Sequence, residues 1–491
     1  MNRNSIASKI LKSSIWQYLG SWVDKLIGFV STLILARILL PDDFGVVAAA
    51  SIVTGLFHVI ATVGTERYLV RKTDVSNSDL NTGWTINIIM KSISAVAIFT
   101  SAELVSQFMA DERLFPLLQV AAVTPFLYGF NNIGFVLYDR EYNFRPKFVI
   151  RLSSRIIGLM AKIYLAIYLK NYWAFIYAEI IETVVFVLGS FLLHKYRPQF
   201  SLLGWKKQWG FSQWILLKSI FVFVRFRIDN IFLSKYLPLE GLGTYSVAKD
   251  VATLPSGQVI GPVLDPLYVG LSSIHNDAAL FADKSHKTLS VMFAIILPIS
   301  LGTYITADNL VAVLLGHQWH QAVPLVMILA LTLLPAMLGD FLTRIMTALG
   351  KVKLIFKFEL LLGLITVATF ALLAKGMSLE QFAELRVALT SLNTLFVLYV
   401  LTFFSNLSFF RVIGLTLLPL LSSVIMGLFL MNINLLLENY NSLSQLCIQI
   451  ISGGVVYLVF FSFNIYLLRN AIKEYQFIWK TFYVALVVRK K

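Results

Sequence analysis

Three cations recur along one otherwise apolar stretch: Arg151, Arg155 and Lys162, at i, i+4 and i+11. At 100° per residue this spacing places them on a single helix face. Paired guanidinium N–H groups match the oxygens of phosphate, so a basic stripe in an apolar setting suits an anionic ligand such as phosphate or pyrophosphate. Arg151 is close enough to a helix end to snorkel to the membrane surface, but Lys162 lies too deep for that. Further cations in apolar segments are Lys25, Lys91, Arg225, Arg227 and Lys249, and these complete a candidate substrate cavity. Carboxylates at Asp24, Asp229 and Asp250 are candidates for a coupling proton or sodium ion, and Glu179 and Glu182 are also intramembrane. Arg225 with Asp229, and Asp340 with Arg344, stand one turn apart and can pair. No Walker A loop, HExxH or GxSxG is present, so no enzymatic activity is expected. His317 and His320 are spaced i, i+3 without an adjacent cysteine or carboxylate in sequence, so neither a metal site nor a cofactor is expected.

The elements that position these groups follow from composition. Of 491 residues, 58% are hydrophobic and 14% charged, and the mean hydropathy is +0.76. That profile fits lipid as the main solvent. Lys and Arg number 41 against 26 Asp and Glu. In a soluble chain this excess would suggest nucleic acid, but here the enrichment of basic residues in cytoplasmic loops accounts for it. The single cysteine, Cys447, excludes an internal disulfide and is expected to be an inert packing residue. About fourteen apolar runs of bilayer-spanning length follow one another. With the N-terminus inside, Arg67, Arg71, Lys72, Arg140, Arg145, Lys206 and Lys207 fall on one side, whereas few basic residues fall on the other. The contrast implies an even number of spans and cytoplasmic termini. The first span lacks a small-residue cleavage site and is expected to be retained. Residues 195–210 (KYRPQFSLLGWKKQWG) read as a basic cytoplasmic linker on the anionic inner leaflet, with Trp205 and Trp209 at headgroup depth, and 469–491 as a basic interfacial tail.

The chain also repeats. LARILLPDDFGVVAAA (35–50) aligns with LSKYLPLEGLGTYSVA (233–248), pairing Arg37 with Lys235 and Gly45 with Gly243. A second pair begins at Pro116 and Pro324, matching Ala122 with Ala330 and Thr124 with Thr332. Both alignments relate segments six spans apart, so the copies cross the membrane in the same sense. The expected fold is therefore an all-α integral membrane protein of two six-helix bundles in parallel pseudo-two-fold repeat, with two extra C-terminal helices. The divisions are 1–194 and 211–405 for the bundles and 406–468 for the added pair. In each copy the aligned tip is the outer end of the first hairpin. Pro41 stops one helix, Asp42 and Asp43 can cap the next, and Arg37 and Lys235 are candidate external gate residues.

Ala36-Arg37 followed by Leu40-Pro41-Asp42-Asp43-Phe44-Gly45 resembles the polysaccharide and lipopolysaccharide flippases of the Wzx type, within the multidrug/oligosaccharidyl-lipid/polysaccharide exporter superfamily. So do Tyr138 to Arg145, Asp229 with Gly243, Tyr245, Ala248 and Pro255, and Leu315-Gly316, Trp319 and Ala322-Val323-Pro324. Asp265-Pro266 departs from the apolar residue that this family often has before its proline. The resemblance implies a monomeric flippase in the bacterial inner membrane. It would carry a polyprenyl-pyrophosphate-linked oligosaccharide outward by alternating access, alongside membrane lipids, polysaccharide polymerase and glycosyltransferases. Two alternatives stand beside it. A multidrug cation antiporter of the same fold suits the architecture but calls for an acidic cavity. A membrane glycosyltransferase or polymerase would use Asp42 and Asp43 as catalytic carboxylates, yet no outer loop is long enough to build a substrate domain.

Overall fold

The computed structural model of the protein describes residues 3–62, 64–274, 276–405, 407–470 and 472–487. Among the described residues the chain is helical with no strand. In order the helices are α1 (Arg3–Ala36), α2 (Pro41–Ala61), α3 (Thr65–Arg71), α4 (Asn77–Met109), α5 (Leu114–Ala121), α6 (Val123–Gly129), α7 (Phe135–Arg140), α8 (Arg145–Leu169), α9 (Trp173–Leu193) and α10 (Trp205–Tyr236). They continue with α11 (Leu239–Ser273), α12 (Ala278–Ile305), α13 (Ala307–Leu314), α14 (Val323–Ala330), α15 (Leu333–Ala348), α16 (Val352–Leu373), α17 (Leu379–Leu401), α18 (Phe409–Leu437), α19 (Ser442–Leu468) and α20 (Lys473–Val487). A 3₁₀ turn, His317–Ala322, precedes α14.

Among the described residues ten helices are long and apolar enough to cross a membrane, or eleven if the bent 317–348 pair is one span. The other expected spans fall on the interrupted α5–α7 run and on α10 and α11. Helix starts are set by local chemistry. Ser76 and Asp79 form a reciprocal capping box at α4, as do Ser378 and Gln381 at α17. At α2, Pro41 occupies the first turn and the Asp43 carboxylate accepts the Leu40 N–H at 3.1 Å. Asp43 thus serves as the cap, whereas Asp42 turns away to Arg113.

The chain divides into two compact units, Met1–Ser246 and Val247–Lys491. In the first, α8 packs on α1 and α9, and α4 packs on α2, α5 and α6. The stretch after α9 is docked on protein. The N–H groups of Gln199 and Ser201 donate to Asn81 Oδ1 and Thr85 Oγ1 at 2.9 Å, Thr82 donates to the Leu203 carbonyl at 2.6 Å, and Phe200 meets Trp84. Helix α10 already begins at Trp205, so the extended part of this linker is shorter than its sequence suggests.

In the second unit α12, α18 and α19 pack together, with α20 across α12 and α19. Its core is apolar, and polar side chains mostly satisfy backbone carbonyls, as Tyr457 does at Ala294 (2.6 Å) and Ser300 at Ala330 (2.8 Å). The start of α20 is not only interfacial: Glu474, Tyr475 and Ile478 are buried. Cys447, expected to be a packing residue, is exposed. The residues aligned by the second repeat break in both copies, α5 giving way to α6 around Ala122 and α14 to α15 just after Ala330 with a 43° bend.

Candidate functional site: an ionic layer on α1, α8 and α9

Helix α8 presents Arg151, Arg155 and Lys162 on one face, as the spacing predicts, and two neighbouring helices answer them with carboxylates. Asp24 on α1 receives Arg151 Nε at 2.6 Å and lies 3.9 Å from Arg155 Nε. Glu182 on α9 receives Arg155 Nη1 at 3.2 Å. This contact needs Gly158, because a Cβ there would lie 2.7 Å from Glu182 Oε2 and 2.9 Å from its Cβ. Gly158 stands one turn beyond Arg155 and one turn before Lys162, so the carboxylate is seated between the two cations. Lys162 is half-buried with its ammonium 5.4 Å from the Phe175 ring centre, and it senses Glu182 and Glu179 electrostatically. The guanidinium groups remain accessible, with side-chain exposures of 60% for Arg151 and 43% for Arg155, so the layer can meet a solute.

Lys91 lies apart from these pairs. It is 3% exposed, and its ammonium sits 5.0 Å from the Tyr128 ring centre. Tyr128 stacks on Phe186 at 5.4 Å and 9° and meets the His58 ring edge-on. Gly129 lets α6 approach α4 closely, since a Cβ there would come within 3.1 Å of the Lys91 Cβ. Beyond this point the run opens into Phe130–Gly134, whose Asn131 accepts from Asn87 at 2.9 Å. Tyr128 and His58 were not legible as partners in the sequence, because neither stands at helical spacing from Lys91.

The remaining candidates are distributed differently. Asp229 is fully buried and accepts the Tyr245 hydroxyl at 3.1 Å. The Arg225 side chain, expected to pair with Asp229, lies outside the described residues, as do those of Asp265 and Pro255. Arg227, Lys25 and Asp250 are exposed and Lys249 is half-buried. His320 lies 3.9 Å from Asp308, and no group of three or more potential metal-ligating side chains occurs among the described residues.

The two repeated tips touch. A Cβ on Gly45 would strike the Leu239 carbonyl, and one on Gly243 would strike the Pro41 carbonyl, so the aligned glycines permit reciprocal backbone contact. Lys235 donates to the Phe108 carbonyl at 3.1 Å and lies 4.2 Å over the Phe108 ring, which fastens the end of α10 to that of α4. Arg37 is exposed beside the first tip. Arg113 bridges Asp42 and Asp111, so Asp42 is held in an ion pair.

Residues 34–324 match the family model described as "Polysaccharide biosynthesis protein". The chain is 22% identical over 363 residues to lipopolysaccharide biosynthesis protein WzxC of Escherichia coli K12, which covers 72% of this chain and 73% of that one. It is 25% identical over 329 residues to succinoglycan biosynthesis transport protein ExoT of Rhizobium meliloti, with 66% of each covered. Among solved structures, an inward closed conformation of the lipid II flippase MurJ superposes with a TM-score of 0.72 at 16% identity, covering 94% of this chain and 99% of that one.

Proposed function

Since the chain belongs to the polysaccharide biosynthesis protein family, we propose that it is a flippase that carries a polyprenyl-pyrophosphate-linked oligosaccharide from the inner to the outer leaflet of the bacterial cytoplasmic membrane. The carrying observation is the accessible pair Arg151 and Arg155, whose guanidinium groups can take phosphate oxygens in place of their carboxylate partners. A cationic drug would meet arginines first on this face, which weighs against the multidrug alternative. Asp42 is engaged by Arg113 and Asp43 caps α2, which weighs against a carboxylate-catalysed glycosyl transfer and for a protein that is not an enzyme.

In this reading Lys25, Lys91, Lys162, Arg225, Arg227 and Lys249 extend the substrate surface. Asp24, Asp229 and Asp250 serve a coupling proton or sodium ion, and Arg37 and Lys235 gate the outer side. The protein works as a monomer with both termini cytoplasmic, receives its cargo from glycosyltransferases and passes it to a polymerase. The proposed bundles are 1–194 and 211–405, joined by the 195–210 linker. Deletion should cause a lipid-linked oligosaccharide to accumulate on the inner leaflet while surface glycan is lost. Normal surface glycan in that strain, together with new drug sensitivity, would replace the flippase reading with the antiporter.

A further inference from the structure

We propose that Glu182, seated on Gly158 between Arg155 and Lys162, takes up a proton when a pyrophosphate headgroup binds the α8 cations, so that substrate binding and proton uptake are one event. The inference rests on the flippase reading and deepens it by naming the group that titrates.

The argument is one of charge balance. Three cations, Arg151, Arg155 and Lys162, share the layer with three carboxylates, Asp24, Glu179 and Glu182. A pyrophosphate diester adds two negative charges to a layer already balanced. Like charges brought together favour the protonated form of a carboxylate, so the cheapest adjustment is for one acid to become neutral.

Geometry selects which one. Asp24 is gripped by Arg151 at 2.6 Å and faces Arg155 as well. Glu182 holds the Arg155 guanidinium at 3.2 Å, more loosely than Asp24 holds Arg151, and Arg155 is one of the two guanidinium groups a phosphate can take. Asp24 repels Glu182 across the layer, and Glu179, one turn away on α9, is itself repelled by Glu182. The other helices packed on α9 supply no replacement cation: α6 brings Tyr128, and α5 carries no titratable side chain. Lys25 follows Asp24 on α1 and is exposed. When the headgroup arrives, a proton from solvent joins the Glu182 carboxylate, Arg155 turns to the phosphate, and no other bond changes.

The test is calorimetric titration of the full-length protein in lipid nanodiscs with farnesyl-pyrophosphoryl-N-acetylglucosamine, in buffers of different ionisation enthalpy. Wild type should take up close to one proton per ligand, and its affinity should fall by about tenfold per pH unit on the alkaline side. Glu182→Gln should bind at least as tightly, without uptake and without pH dependence. Binding by wild type with no proton uptake, or uptake that persists in Glu182→Gln, overturns the inference and leaves the flippase reading intact. Failure of wild type to bind this lipid at all overturns both. If Glu182→Gln does not accumulate, Gly158→Ala displaces the same carboxylate, and unchanged uptake in that variant also overturns the proposal.

Discussion

The ionic layer of α1, α8 and α9 and the last helix pair, α18 and α19, both place polar side chains on long apolar helices, yet they do so in opposite ways. On α8 the polar groups are full charges, paired across helices and left accessible. Between α18 and α19 they are amides: Gln449 accepts from Asn309 of α13 at 3.2 Å and donates to Asn434 of α18 at 2.7 Å, all within one neutral chain. The ion pair that α18 does carry sits at its beginning, where Arg411 meets the buried Glu474 of α20 at 2.8 Å. Neutral amides lock helices together without demanding a counter-ion. Accessible charges cost more to hold in a membrane and are kept where a charged solute must be met. On the flippase reading, the difference separates a surface proposed to work on cargo from one that holds the fold.

The largest expected effect comes from removing a cation on the working side. Arg155→Ala should lower glycan export by at least about thirtyfold, the equivalent of about 2 kcal/mol for a lost charge in a binding pair, with the protein still present in the membrane. Export at wild-type level, measured as surface glycan, would break the comparison. On the holding side, Arg411→Ala strands Glu474 without its guanidinium and should cost about 2 kcal/mol of stability, less than the roughly 3–5 kcal/mol of a fully buried pair because Arg411 is half-exposed. A thermal melt of purified protein reads it, and export per folded molecule should not change. Smaller again is Gln449→Leu, which leaves Asn309 and Asn434 without their shared partner and should cost about 1 kcal/mol. If that variant abolished export at normal abundance, the amide chain would belong to the transport machinery after all.

Much of this division was legible in the sequence. Arg151, Arg155 and Lys162 keep helical spacing, so their common face could be read from number alone. The alignment of Leu35 with Leu233 foretold that Gly45 and Gly243 are equivalent, and they meet in the structure because both lack the Cβ that would block the contact. The partners were harder to read. Asp24 and Glu182 lie 131 and 27 residues from Arg155 respectively, and no local pattern joins them. Asp42 looked like the helix cap because it directly follows Pro41, but the reach back to Leu40 suits Asp43, one residue on, and frees Asp42 for Arg113. The docking of residues 199–203 on α4 was hidden for a similar reason. Asn81, Thr82 and Thr85 are ordinary early-helix residues until a second strand of chain lies beside them.

The smallest effect distinguishes charge from neutrality by pH alone, at the knot where Arg113 joins Asp111 and Asp42. Burial works against the charge of Asp111, but the side chain and backbone N–H of Arg113 donate to its carboxylate, and together they hold it below the ordinary value of 3.8. A carboxyl depressed on folding stabilises the fold above its unfolded value, and that contribution disappears as pH falls through the folded one. Arg113 is more than a third exposed, so the stabilisation is on the scale of a surface pair, about 0.5 kcal/mol. Asp111→Asn should therefore melt slightly below wild type at pH 7, and the gap should close only as the pH drops beneath about 3.8. The deficit of Gln449→Leu involves no titrating group and should stay constant over the same range. A gap for Asp111→Asn that is equally flat would mean that its contribution comes from shape and hydrogen bonding, and this knot would then belong with the amide chain.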